Sequence, residues 1–343
     1  MRTFAHALLI VALLLPAGAV FATGGQEADD GVARHAFVFK NTGNPYGDKQ
    51  MEGFAEGIEE AGFEAILRAP DVPSAEAQIQ IIEQLIAQNV ASISITGNDF
   101  DALQPVLNRA MEQGIVVISA DSAVNPASRM THVNQADSQM IGRTLIRAAY
   151  EMADGGGDIA ILSATSQASN QNLWIEWMQQ ELTDFPDQYA DLELVRIAYG
   201  DDLRDKSVSE MEGLLQSFPE LEVVIAPTTV GIAAAGRVVT DRGLIDEVYV
   251  TGLGLPSEMA EYIDNGASPY MFLWNPIDVG YLAAYTALAL VDGEISGAAG
   301  ETFTAGRLGQ FEIVPASDGG TEILLGAPFR FDPSNIDEWK TIY

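Results

Sequence analysis

The sequence predicts an α/β fold of two Rossmann-like lobes with parallel sheets, and three observations carry that expectation. A chain of 343 residues is long enough for two cores of ordinary size. From His35 onward an apolar, β-rich run is repeatedly followed by an amphipathic segment of helical period, with early strand starts roughly 24 to 28 residues apart, as in βαβ units. The pattern breaks at Asp154-Gly155-Gly156-Gly157 and then restarts.

In chain order, the first strands are expected at His35–Lys40, Phe63–Arg68, Ala91–Thr96 and Ile115–Ala120. The helices between them are expected at Asp48–Ala61, Ser74–Gln88 and Asp101–Gln113. Ile79, Ile82, Leu85 and Ile86 form an apolar face on the second of these helices, and Ser74 and Asp101 stand where N-caps belong. The second set of strands, Asp158–Ser163, Leu192–Ala198, Leu221–Ala226 and Val248–Gly252, alternates with helices near Asn170–Leu182, Asp205–Gln216 and Gly231–Asp241. Two such halves imply a cleft between them, with ligands held at the carboxyl ends of the strands.

Ahead of this pattern, Arg2 precedes the apolar run Ala7–Leu15, Pro16 and Gly18 end it, and Val20-Phe21-Ala22 places small residues where a signal peptidase reads. Residues 1–22 are therefore expected to be a secretory signal peptide and 23–32 a flexible segment. The chain contains no Cys, so a lipid anchor is not expected and the mature protein is placed free in the periplasm. Composition narrows the function further. Asp and Glu number 49 against 17 Lys and Arg, a formal charge of -32 that repels a phosphate backbone and excludes nucleic acid as a partner. The absence of Cys also excludes thiolate nucleophiles and thiolate metal sites. His35 and His132, which remain after signal removal, lie in no metal-binding spacing, and no nucleophile elbow, phosphate loop or complete dinucleotide fingerprint occurs, so neither metal nor cofactor is expected. A glycosidase-like carboxylate pair cannot be recognised in so acidic a chain, and an exported carbohydrate-active enzyme stays open as an alternative.

The expected strand ends carry Lys40-Asn41-Thr42-Gly43-Asn44-Pro45-Tyr46, Thr96-Gly97-Asn98-Asp99, Asp121-Ser122, Ser163-Ala164-Thr165-Ser166, Tyr199-Gly200-Asp201, Pro227-Thr228-Thr229 and Gly252-Leu253-Gly254. Small, hydroxylic and amide side chains offer both donors and acceptors, which suits a neutral polyol, a sugar, better than a phosphate. These segments, with Val133-Asn134-Gln135, Asn170-Gln171-Asn172-Leu173-Trp174, Leu273-Trp274-Asn275-Pro276 and the Phe331–Asp337 tail, resemble the exported sugar-binding proteins of ABC importers. The resemblance is to the ribose-binding-like type I class, and within it to the rhamnose-binding and autoinducer-2-binding group. It implies a non-enzymatic monomer that closes on a monosaccharide and delivers it to a membrane permease. It also implies lobes of residues 33–136 plus 276–304 and of residues 137–275 plus 305–343, with three crossovers. Autoinducer-2 receptors of this group hold their ligand with a Lys, an Asp, an Asp-Gln pair and a Pro-x-Ala, which match Lys40, Asp121, Asn170-Gln171 and Pro227-Thr228-Thr229 here. Asn170 in place of Asp and Thr229 in place of Ala are more similar to the rhamnose-binding branch, so L-rhamnose or a similar deoxysugar is expected, with a pentose and autoinducer-2 left open.

Physical reasoning weighs each candidate against a structural role. Lys40 and Asp121 follow apolar strands, where a charge needs either a ligand hydroxyl or an ion-pair partner. Asn170 and Gln171 open a helix with more amides than one cap requires. Tyr46, Trp174 and Trp274 are candidates to cover a sugar face, although Trp174 and Trp177 are equally spaced for core packing. Asn134 stands at the expected hinge, and Asn41, Pro227, Thr229 and Gly254 complete the expected ligand contacts from the strand ends.

Overall fold

The computed structural model describes residues 32–343; the expected signal peptide and most of the segment after it lie outside the described residues. The first lobe opens with β1 (Arg34–Val38), α1 (Pro45–Glu60), β2 (Glu64–Arg68), α2 (Ala75–Ala87), β3 (Ser92–Ile95), α3 (Gln104–Glu112), β4 (Val116–Ala120) and β5 (His132–Ala136). The chain then crosses into the second lobe with α4 (Ser138–Met152), β6 (Gly157–Ser163), α5 (Ser169–Asp184), β7 (Leu192–Tyr199), α6 (Arg204–Ser217), β8 (Leu221–Ala226), α7 (Thr229–Arg242), β9 (Tyr249–Gly252), α8 (Pro256–Asp264) and β10 (Met271–Leu273). It returns to the first lobe through α9 (Pro276–Val291), β11 (Thr302–Thr304), β12 (Gln310–Glu312), β13 (Val314–Pro315) and β14 (Thr321–Gly326), and ends in the second with β15 (Phe329–Phe331) and α10 (Ile336–Trp339).

The first sheet has the order β13-β14-β5-β4-β3-β1-β2, parallel except for the β13–β14 hairpin, and the second has the order β7-β6-β8-β9, all parallel. In each sheet the chain reverses its direction of travel across the sheet beside the first strand of the lobe, at β1/β3 and at β6/β8. Such switch points leave a crevice at the carboxyl ends of the strands. Gln78 of α2 holds one crevice in shape: fully buried, it donates to Phe39 O at 3.1 Å and Thr96 O at 2.8 Å and accepts from Asn98 N at 2.9 Å, tying the ends of β1 and β3 together.

Every expected strand and helix has a counterpart, with differences at some ends. Ser74 caps α2 by accepting from Ala77 N at 3.2 Å. Asp101 does not cap α3. That helix starts at Gln104, and Asp99 takes the amides of Asp101 and Ala102 at 2.9 and 2.8 Å in a preceding turn. The expected lobe boundary near 305 also moves. Pairing of β14 with β5 places residues up to Gly326 in the first lobe, so the third crossover runs from Gly326 to Phe329, beside those at Ala136–Ser138 and Leu273–Pro276.

Two buried features of the first lobe bear on its stability. A Cβ at Gly53 would fall on the Ile277 carbonyl oxygen and one at Gly280 on the Gln50 carbonyl oxygen, so α1 and α9 touch backbone to backbone. His35 and His132, both buried, place Nδ1 2.8 Å from Ser92 Oγ and Ser119 Oγ respectively, and burial pushes them down to about 4 and about 3. Gly280→Ala is expected to lower the thermal midpoint, because overpacking a close contact costs about 1–3 kcal/mol. Since the histidines are neutral in the fold and charge more readily when unfolded, the stability they confer is complete above about pH 6.5 and is lost as the pH falls toward about 4 for His35 and about 3 for His132. Urea denaturation across that range should show this slope, reduced in His35→Gln.

Candidate functional site

The carboxyl ends of both sheets meet around a small cavity. Lys40 enters it two residues beyond β1, and Asp121 directly follows β4 with φ of 65°, a left-handed turn that Asp tolerates. Asn44 caps α1 by accepting from Tyr46 N at 3.1 Å, which fixes Tyr46 in the first turn over the cavity. From the second lobe, the first turns of α5 supply Asn170, Gln171 and Trp174, and the β8–α7 junction supplies Pro227, Thr228 and Thr229. Trp274, in the crossover from β10 to α9, closes one side. Phe39, Leu253 and Leu273 add apolar wall.

The polar groups form one chain across the lobes. Trp274 Nε1 donates to Tyr46 OH at 2.8 Å, and Tyr46 OH donates to Asp121 Oδ1 at 3.4 Å. Asn170 Nδ2 also reaches Asp121 Oδ1 at 3.4 Å, while its Oδ1 accepts from Lys40 Nζ at 3.4 Å and from Gln171 N at 2.8 Å. The ion pair expected as the structural alternative for Lys40 and Asp121 is not formed; the ammonium turns to Asn170 instead. Gln171 has a positioning task as well, accepting from Ser163 Oγ at 2.7 Å and Ala164 N at 2.8 Å at the end of β6. Trp174 and Trp274 meet edge to face, with ring centroids 5.9 Å apart, and Trp174 Nε1 is a buried donor without a protein partner.

Charge is concentrated here. Asp202, in the turn after β7 with φ of 54°, lines the cavity and accepts a hydrogen bond from Thr228 Oγ1. Burial pushes the Asp121 carboxyl up to about 6 and raises that of Asp202, and in both the Lys40 ammonium opposes the shift. Two buried carboxylates, one from each lobe, thus share one ammonium. Together with the amides and the indole N–H, they offer acceptors and donors suited to the hydroxyls of a polyol.

Nine of the sequence candidates come together here: Lys40, Tyr46, Asp121, Asn170, Gln171, Trp174, Pro227, Thr229 and Trp274. Three do not. Asn41 turns aside to donate to Thr42 O at 3.1 Å. Asn134 donates to Glu322 Oε2 at 2.8 Å beside a neighbouring space. Gly254 donates its amide to Phe272 O at 3.1 Å, and a Cβ there would strike Met271 and Met259, so its smallness serves packing. Sequence reasoning missed Asp202, whose signal was its place just after the polar strand end Tyr199-Gly200-Asp201.

A model of the periplasmic binding protein domain matches residues 35–295. The crystal structure of an ABC transporter solute-binding protein from Clostridium phytofermentas with bound L-rhamnose is 47% identical, covers 91% of this chain and 99% of its own, and superposes with a TM-score of 0.89. LsrB from Clostridium saccharobutylicum in complex with AI-2 shares the fold at 19% identity, with a TM-score of 0.83 and coverage of 90% and 99% of the two chains. A D-ribose/D-allose-binding protein of Pseudomonas aeruginosa is 24% identical over 193 residues, 53% of this chain and 57% of that protein's length. With two α/β lobes, three crossovers and an interlobe cavity, the chain belongs to the periplasmic binding protein family and has its type I fold.

Proposed function

We propose that the protein binds L-rhamnose or a similar 6-deoxyhexose between its lobes, without turnover, and as a periplasmic monomer delivers it to an ABC permease. The carrying observation is the division of the cavity wall into two halves. Lys40, Asp121, Asn170, Asp202 and Thr228 offer hydrogen bonds to ring hydroxyls, while Phe39, Trp174, Leu253, Leu273 and Trp274 offer an apolar surface to a methyl group and ring C–H bonds. The relative with bound L-rhamnose, 47% identical over nearly its whole length, supports the same choice. Asn170 weighs against autoinducer-2, because its amide presents a donor where the resembling receptors of that signal carry a carboxylate that only accepts. Closure follows from the three crossovers acting as a hinge, and the closed arrangement of both lobes is the signal a permease reads.

Titration calorimetry of unliganded protein against L-rhamnose, ribose, xylose, galactose and autoinducer-2 is expected to give one-site binding of L-rhamnose, recovered unchanged. Preference for autoinducer-2 or a pentose would overturn the choice of sugar, and turnover would overturn the receptor reading. Asp121→Asn is expected to weaken the sugar by about a hundredfold or more, the range for a charge-assisted hydrogen bond lost in a buried site. The same change should stabilise the unliganded protein. With its folded pKa raised from 3.8 to about 6, Asp121 opposes folding increasingly as the pH rises through that window. Its replacement is then expected to gain up to about 3 kcal/mol above pH 7, less whatever hydrogen bonding the amide loses, and nothing below pH 4. Thermal melts of both proteins at the two pH values check it.

A further inference from the structure

A second, wider space, partly open to solvent, lies beside the cavity, and Asp121 and Asn170 line both. Its walls come from both lobes and include the amides of Asn134, Gln139 and Asn172, the carboxylates of Glu176 and Glu322, and the ring of Trp177. It persists although the lobes are already in contact: Ser169 Oγ donates across the cleft to Ala123 O at 2.8 Å, and Lys40 and Asn170 meet at 3.4 Å. Between the two spaces stands the Asn170–Asp121 hydrogen bond, also 3.4 Å, long enough to yield to a ligand.

A sugar oxygen that accepts from Asn170 Nδ2, while a neighbouring hydroxyl of the same ring donates to Asp121, would therefore sit at the boundary. Hydrogen on that oxygen keeps the ligand within the inner cavity; a glycosyl group on it would extend into the wider space without parting the lobes. There, amide and carboxylate groups can engage hydroxyls and an indole edge can cover carbon, the same division of labour as in the inner cavity. We propose that the site accepts O-glycosides of its sugar, short oligosaccharides with one ring in the inner cavity and the next beside Asn172 and Trp177, in addition to the free monosaccharide. This rests on the sugar-binding reading above and widens its substrate class.

The test is calorimetry with L-rhamnose, methyl α-L-rhamnopyranoside and the α-1,2-, α-1,3- and α-1,4-linked rhamnobioses, on the full mature protein and two variants. At least one disaccharide is expected to bind within about tenfold of L-rhamnose. Gln139→Trp, at an exposed position on the wall of the wider space, is expected to weaken that disaccharide by about tenfold or more and leave L-rhamnose within about twofold. Trp177→Ala should show the same split. Binding of L-rhamnose with none of the glycosides bound within about a hundredfold overturns the proposal alone. Equal effects of the variants on both ligand sizes, or no effect on either, also overturn it. Failure of L-rhamnose and every glycoside overturns the sugar reading and the proposal together, whereas binding of a disaccharide without L-rhamnose supports the proposal and corrects the reading.

Discussion

The ammonium of Lys40 lies where β1 runs out, buried, with a buried carboxylate from each lobe close enough to feel its charge. Among the residues lining the cavity it is the one cation, against Asp121 and Asp202. Removing such groups from water is costly, and one ammonium does not compensate two carboxylates: both keep raised pKa values despite it. A closed, unliganded cavity is thus electrostatically dissatisfied, and ligand hydroxyls that donate to the carboxylates relieve it. Under the proposed function, this gives closure a physical reason to follow binding, since a ligand would make contacts with both lobes that an open state lacks.

The surrounding structure serves that arrangement. Gln78 ties the ends of β1 and β3, so that Lys40 leaves the sheet from a rigid base. Asn44 orders the start of α1 and with it Tyr46, which links Asp121 to Trp274 across the lobes. Gln171 performs the matching task in the second lobe by holding the end of β6. Amides recur at these positions because one side chain can donate and accept at once, satisfying the backbone groups exposed where parallel strands end. The glycines of α1 and α9 contribute at longer range, locking the helix that carries Tyr46 to the helix that follows Trp274.

How much of this was legible in the residues depended on whether the cause was local. The strands are short apolar runs between turn residues, and the main helices have apolar faces at helical spacing, so each was readable from its own segment. The last lobe boundary was not: β14 belongs to the first sheet because it pairs with β5, almost 190 residues earlier, and nothing within β14 itself names that partner. Asp101 misled for a smaller reason, since Asp99, two residues before it, captured the amides that a cap would have taken.

At the site, the sequence by itself determined the chemical vocabulary: polar and hydroxylic residues at the strand ends, charges following apolar strands, and aromatic residues near the crossovers. Nine residues, some chosen on those grounds and others through helix starts and the family resemblance, line one cavity because parallel strands deliver their carboxyl ends to the same edge of each sheet. Direction within that edge was decided by tertiary structure alone. The left-handed turns at Asp121 and Asp202 accompany carboxylates that line the cavity, whereas Asn41, next to Lys40 in sequence, bonds to its own loop, and Asn134 is taken by Glu322 from a distant strand. Composition and spacing specify which groups reach the end of a strand; which way each side chain leaves it depends on backbone dihedrals and on partners that only the assembled sheets bring near.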